Sequence, residues 1–227
     1  MKKIFIPLLF AIILPATFSC SAGRLAGYRL NEQDAAAAIR QMLQIGTQDG
    51  KLTGAFSKET IISTLFPGSV GKVLSTLQTL GLTNEVDRFA NTFGNAAESA
   101  ANNAVPVFVS GITSIKFNDA MRLIKAGGTA GTDYLKSTIG SDLRRSITPA
   151  MQSAINEYKL NDEWNKLIQP VKSITGNKLN LDLANLMAGI VAEKMFQKIA
   201  AKELEIRSNA SARNTTLLQK VFSRNWD

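Results

Sequence analysis

The chain has 227 residues and a formal net charge of +8 at pH 7, with 45% hydrophobic and 7% aromatic residues. It contains no histidine and one cysteine, which excludes histidine-dependent catalysis, zinc sites built on histidine or cysteine, and intrachain disulfides. The hydrophobic content is too high for a disordered chain, and the scarcity of aromatic residues favours packed helices. We therefore expect an all-α protein with no metal and no cofactor.

The positive charge is spread along the sequence, which has 26 Lys and Arg against 18 Asp and Glu. Proteins that bind nucleic acid usually concentrate basic residues on one face and interleave them with aromatic residues, and we find no motif of that kind. We expect no nucleic-acid partner. Mild attraction to an anionic surface fits the charge better.

Residues 1–19 have the composition of a secretion signal. Lys2 and Lys3 precede an apolar run that is short and interrupted by proline, so it does not span a bilayer comfortably. We exclude this segment from the fold and expect the protein to be exported.

Cys20 directly follows the signal and lies between two serines, a context that resembles a bacterial lipoprotein lipobox. The sequence predicts that Cys20 carries lipid, that residues 20–30 form a tether, and that the protein is anchored to a membrane of the bacterial envelope, facing the periplasm. The alternative is cleavage by the ordinary signal peptidase after Ala22.

Apolar residues then recur at the helical period, and no strand-like alternation is present. We expect one compact domain over residues 31–222, an irregular bundle of about eight to ten helices with no sheet. A short tail at residues 223–227 follows it.

The first helices of this domain have recognisable boundaries. Asn31, Ser57 and Ser69 are predicted N-caps of three successive helices, and Gly81 ends the third. These caps satisfy backbone amides that a helix start leaves unpaired.

Thr83 opens the longest predicted helix, which Pro106 should kink or divide. Residues 96–104 of this helix are almost all small. Because small side chains allow close approach, we expect another helix, from the central part of the chain, to cross this segment.

The central stretch, residues 114–149, contains closely spaced signals for helix starts and ends, and it predicts three short helices. Gly127 supplies the positive φ that ends the first, and Thr129 is the predicted N-cap of a second that ends at Thr138. Pro149 suits the first turn of a further helix.

The rest of the domain is predicted to contain three more helices. Asn161 is a predicted N-cap, a polar loop lies at residues 175–177, and two more helices occupy residues 181–207 and 217–222.

Three blocks of the sequence together resemble a known family. They are Phe117-x-Asp119-Ala120-x-x-Leu123-Ile124-x-x-Gly127-x-Thr129-Ala130-x-Thr132-x-Tyr134-Leu135, an upstream block with Val86-Asp87-x-Phe89 and Asn95-Ala96-Ala97-Glu98, and Ile206-Arg207 with Ala212-Arg213-x-Thr215. In one register they are similar to the bacterial family called domain of unknown function 4197. The resemblance implies a signal-bearing, all-helical envelope protein, and it implies no activity.

Carboxylates are the acid–base groups that remain in a chain without histidine. Glu98, Asp119 and Asp133 lie in the family-like blocks, and two such groups facing each other across a groove could hydrolyse a glycosidic bond. The two aspartates also fall in first turns of predicted helices, where they would stabilise the helix ends. We expect a non-enzymatic binding or structural role, with a histidine-free hydrolase of cell-wall glycan as the alternative.

Thr132, Tyr134 and Arg213 are the candidate binding residues. The two hydroxyls could face a cleft, although Thr132 could equally bond its own helix and Tyr134 could be a core aromatic. Arg213 could reach a carboxylate and tie down the C-terminal helix. The predicted partners are the membrane, through lipid on Cys20, and an envelope protein or an anionic surface.

Overall fold

The computed structural model describes residues 27–50, 52, 54–66, 71–172 and 181–226. Within these ranges the chain forms nine α-helices and two 3₁₀ turns with no β-strand, which confirms the all-α prediction. In chain order the helices are α1 (Glu32–Gln48), α2 (Lys58–Leu65), α3 (Gly71–Thr79), α4 (Thr83–Ser114), α5 (Ala120–Ala126), α6 (Ala130–Glu157), α7 (Leu160–Ile168), α8 (Leu183–Ser208) and α9 (Thr216–Phe222). The predicted signal with Cys20, the cap at Ser69 and the loop at residues 175–177 lie outside the described residues.

Helix α8 is the centre of the bundle. It packs most extensively against α6 and next against α1, while α4 lies against α6. Its inward side chains are fully buried and include Met187, Val191, Met195 and Ile199. Burial of such side chains is the main stabilising term of a helical domain.

Two helix starts have the predicted side-chain caps. The Asp34 amide donates to the Asn31 side chain over 2.8 Å, and the Thr60 amide donates to the Ser57 hydroxyl over 3.3 Å. Gly81 ends α3 with φ at +79°, as predicted.

The alanines of the small-residue segment of α4 are buried. They expose at most 2% of their surface, and they are Ala96, Ala97, Ala100, Ala101 and Ala104. Other parts of the chain also approach α4 closely at the glycines on either side of this segment. A Cβ built on Gly94 would lie 2.5 Å from the Phe56 carbonyl oxygen, and one on Gly111 would lie 2.6 Å from a Leu143 methyl of α6.

The central stretch forms two helices, so the prediction of three short ones is wrong. The second helix runs unbroken from Ala130 through Pro149 to Glu157, and Pro149 does not begin a new helix. The proline is exposed, so the Arg145 carbonyl that loses its amide partner lies on the solvent side of the helix, where water can bond it.

Pro106 likewise fails to divide α4, which continues to Ser114. It too is exposed, and the same argument applies to the carbonyl four residues before it.

The predicted cap at Asn161 is also misplaced, because α7 begins at Leu160 after Lys159, whose φ is +54°. The N-cap position of α7 therefore lies two residues before Asn161, the residue that the sequence predicted as the cap.

The turn between α5 and α6 depends on glycine. Gly127 has φ +68° and ψ −159°, a region of the backbone map that is essentially restricted to glycine. A Cβ at this position would meet no atom within 4 Å, so the cost of a side chain there is backbone strain alone.

Gly127→Val should lower the free energy of unfolding by about 1 to 3 kcal/mol, the usual cost of such a backbone conformation. Chemical denaturation followed by circular dichroism measures it. Gly71→Ala is the matched control, because Gly71 also has open space around its Cβ position and lacks a positive φ. Equal stability of the two variants would show that the turn tolerates a side chain.

Candidate functional site

The glycine turn brings two helix ends of opposite polarity together beside α8. The C-terminus of α5 carries unpaired carbonyls and a partial negative charge, and the N-terminus of α6 carries unpaired amides and a partial positive charge. Gly127 and Gly128 both have positive φ, which lets the chain reverse between the helices within three residues.

A buried carboxylate on α8 binds the start of α6. Glu203 is fully buried and accepts from the Gly131 amide at 2.9 Å, the Thr132 amide at 2.8 Å and the Thr132 hydroxyl at 2.7 Å. A charge taken out of water must be paired and hydrogen-bonded to be tolerated. These amides and the hydroxyl supply three of those bonds.

A guanidinium one turn later on α8 binds the end of α5. Arg207 donates to the Ile124 carbonyl at 3.1 Å and to the Leu123 carbonyl at 3.2 Å. It also donates twice to the Glu203 carboxylate, at 2.9 and 3.0 Å. The pair therefore places a negative charge at a helix N-terminus and a positive charge at a helix C-terminus, the favourable sign in both cases.

Arg213 holds the end of α8 itself. It donates to the Ile206 carbonyl at 2.9 Å and the Arg207 carbonyl at 2.8 Å. It binds carbonyls and not the carboxylate that the sequence suggested, and in this way it satisfies backbone acceptors that a helix end leaves unpaired.

A pocket of about 430 Å³ opens beside the turn. The described residues of its wall include three basic side chains and no acidic one: Lys125, Arg207 and Arg224. The glycines of the turn form one side, and the C-terminal segment with Phe222 and Trp226 forms the other. Arg207 therefore has two roles, since it ties down α5 and contributes charge to the pocket.

The C-terminal segment folds back onto the start of the described chain. The Arg224 guanidinium stacks 4.1 Å from the Trp226 ring centre and donates to the Tyr28 carbonyl. The Trp226 ring contacts the Tyr28 ring edge-on at 5.8 Å. Burial, aided by a 2.7 Å hydrogen bond to Asp34, raises the pKa of the Tyr28 phenol to about 12.

The family model for "Protein of unknown function (DUF4197)" matches residues 29–223. The chain belongs to the DUF4197 family. Neither curated proteins nor solved structures give a match. Two of the family-like blocks, far apart in the sequence, meet in this site: Gly127 and Thr132 come from one, and Arg207 and Arg213 come from the other.

The three candidate carboxylates of this DUF4197 protein have separate partners. Glu98 on α4 accepts from the Gly54 amide at 3.4 Å, Asp119 pairs with Arg122 at 2.7 Å, and Asp133 accepts from the Thr129 hydroxyl at 2.9 Å. Asp119 precedes α5 with φ at +56° and makes no capping bond. None of the three lines the basic pocket.

The candidate hydroxyls have structural partners. Thr132 is buried and bonds Glu203. The Tyr134 hydroxyl donates to the Lys116 carbonyl at 3.1 Å, and its ring lies 5.6 Å from that of Phe117. These contacts hold the loop between α4 and α5 against α6.

Sequence reasoning missed Glu203, Arg224 and Trp226. Glu203 had a detectable signal, because it occupies an apolar position of the stripe that includes Met195 and Ile199, and a charge there needs a buried partner. Arg224 and Trp226 had no local signal, since their partners come from distant parts of the chain.

The described residues of this DUF4197 chain lack two kinds of feature. No group of three or more His, Cys, Asp or Glu side chains there could hold a metal ion. No described helix combines the length and hydropathy needed to cross a membrane.

Glu203→Gln should lower the free energy of unfolding by about 3 kcal/mol or more, because it leaves the Arg207 charge without its buried partner. An amide also turns one acceptor into a donor that faces the α6 amides. Urea denaturation measures the change. Glu205→Gln is the control: Glu205 is exposed and pairs with Lys202, and such a surface pair is worth at most about 1 kcal/mol. Similar losses for both variants would contradict a special role for the buried carboxylate.

Proposed function

We propose that this DUF4197 protein is a lipid-anchored protein of the bacterial envelope whose helical domain binds an anionic group without catalysing a reaction on it. The observation that carries the proposal is the basic pocket between the α5–α6 turn and the C-terminal segment. Its described wall holds Lys125, Arg207 and Arg224 and no carboxylate.

The chemistry of the pocket suits a phosphate or a carboxylate. Guanidinium groups offer planar pairs of donors that match the oxygens of these anions. Arg224 can offer such a pair, whereas the four hydrogen bonds of Arg207 to Glu203, Ile124 and Leu123 leave it one N–H donor. Because those bonds hold Arg207 in place, little side-chain entropy is lost when it contacts a ligand. The volume of about 430 Å³ lies within the range of small-molecule sites.

A binding role fits this pocket better than catalysis. General acid–base chemistry at neutral pH needs a group that can exchange a proton there, and the described wall contains arginine, lysine and no carboxylate or histidine. The hydrolase alternative relies on Glu98, Asp119 and Asp133, which have separate partners elsewhere. No contact joins any two of the three carboxylates among the described hydrogen bonds and ion pairs.

The anchor is supported by the sequence alone. Cys20 follows a charged and then apolar signal and precedes three small residues, Ser21, Ala22 and Gly23. Lipid chains on that cysteine would provide the two hydrophobic anchors that stable membrane attachment requires.

Inorganic phosphate should bind the mature chain saturably and shift the backbone amide signals of Gly127 and Gly128 in NMR titrations. Arg224→Ala and Lys125→Ala should each weaken binding about tenfold, since a hydrogen bond to a charged group contributes about 1.5 kcal/mol or more. Added sodium chloride should weaken it further through screening.

Two basic residues outside the pocket provide matched controls. Arg145→Ala and Lys72→Ala remove the same charges from exposed positions on α6 and α3, and they should leave phosphate binding unchanged. Equal effects of all four variants would indicate general charge attraction and would remove the basis for a pocket-specific site.

Cys20→Ser should leave the helical domain folded and move the protein out of the membrane fraction, or stall it with its signal uncleaved. Mass spectrometry of the mature wild-type N-terminus provides the direct measurement, and the expected product begins at Cys20 with attached lipid. An unmodified chain beginning at Gly23 would mean ordinary secretion.

A further inference from the structure

We propose that the anion taken by the pocket is the phosphate of an anionic phospholipid headgroup in the membrane that holds the anchor. The face formed by Tyr28, Lys220, Arg224 and Trp226, here called the terminal face, would then lie against the bilayer. This inference rests on the proposed function and specifies both its ligand and the orientation of the domain.

The anchored segment joins the domain beside the pocket. Tyr28 contacts Trp226 through its ring and Arg224 through its carbonyl, and both partners line the pocket. From Cys20 to Tyr28 the chain can extend at most about 28 Å. A domain tethered by lipid on Cys20 would therefore keep its pocket close to the headgroups at all times.

The charge around the terminal face has the sign that an anionic membrane attracts. Lys220 lies 5.8 Å above the Tyr28 ring, and it adds to the basic side chains of the pocket. The sequence from Cys20 to Leu30 contains Arg24 and Arg29 and no acidic residue. Basic residues near an anionic surface each contribute about 1 kcal/mol to binding.

Two described acidic groups near this face, Asp34 and Glu203, are already engaged. The Asp34 carboxylate accepts the Tyr28 hydroxyl and lies at the start of α1. Glu203 is fully buried and is paired with Arg207 and the α6 amides. Neither lines the pocket, so neither would meet an incoming phosphate there.

Trp226 is the residue of this face best suited to a membrane interface. Its ring is partly exposed, it stacks with Arg224, and its ring N–H donates to the Val221 carbonyl at 2.6 Å. An amphipathic ring with a satisfied polar end is typical of the headgroup region of membranes. The only other tryptophan, Trp164, is 3% exposed, so a change in fluorescence at the surface reports on Trp226.

The test uses the mature chain from residue 20 with Cys20→Ser, which removes the lipid and leaves the tether and domain. Vesicles of phosphatidylcholine with added phosphatidylglycerol should bind this protein in sedimentation and shift its tryptophan emission to the blue. Vesicles of phosphatidylcholine alone should do neither. Trp226→Phe should abolish the emission shift, since the remaining tryptophan, Trp164, is buried, and it should also weaken sedimentation with the anionic vesicles.

Pocket variants connect vesicle binding to the site. Arg224→Ala and Lys125→Ala should each lower partitioning to the anionic vesicles about fivefold, the loss expected for one basic residue at such a surface. Arg145→Ala and Lys72→Ala should leave it unchanged. Equal losses for all four would overturn the assignment of the terminal face.

Soluble glycerol 3-phosphate separates this inference from the proposed function. Binding of glycerol 3-phosphate that depends on Arg224, without any binding to anionic vesicles, would overturn the lipid inference and leave the anion site standing. If neither glycerol 3-phosphate nor the anionic vesicles bind, both the lipid inference and the proposed anion site are wrong. Binding to anionic and neutral vesicles alike would also overturn the inference, because the net negative charge of the lipid would then play no part.

Discussion

The ion pair between Glu203 and Arg207 is the interaction on which the α5–α6 region depends. Both residues lie on the central helix, four positions apart, and together they bind two helix ends that the glycine turn holds side by side. An isolated carboxylate in this position would be very costly, because it is fully buried. The amides of α6 and the guanidinium offset that cost, and the guanidinium in turn satisfies carbonyls at the end of α5. The carboxylate, the guanidinium and the turn therefore form one cooperative unit, so losing any part leaves buried polar groups unpaired.

The same unit explains why the pocket lies where it does. Arg207 is oriented by its bonds to Glu203 and to α5, and its remaining surface borders the pocket. The wall opposite the turn comes from the end of α9 and the residues after it, which are held by Tyr28 and by the bond from Trp226 to Val221. A basic surface is thus built from three distant parts of the chain on a rigid support, which is the arrangement that a specific anion site requires.

Local signals in the sequence predicted much of the fold, and long-range contacts account for what they missed. Asn31 and Ser57 cap their helices as expected because a cap bonds amides only three residues away. Gly127 was predicted for the same reason, since a helix end and its positive φ are local. Pro149 was misread because its effect depends on whether the carbonyl before it faces water, and that is decided by packing. Glu203 was overlooked because its partners lie about seventy residues earlier in the chain, and no local pattern connects them.

The contact between Tyr28 and the C-terminal segment has a mechanical consequence for an anchored protein. Tension along the tether would reach the domain at Tyr28, whose carbonyl is bonded by Arg224 and whose ring lies against Trp226. Tyr28 would pass the load to this contact and, through its hydroxyl on Asp34, to the start of α1. Yielding there would separate Arg224 and Trp226 from the opposite wall of the pocket while the buried helices stay packed. Under the proposed anchor, a pull on the chain before Tyr28 would therefore act on the contacts that hold one wall of the pocket.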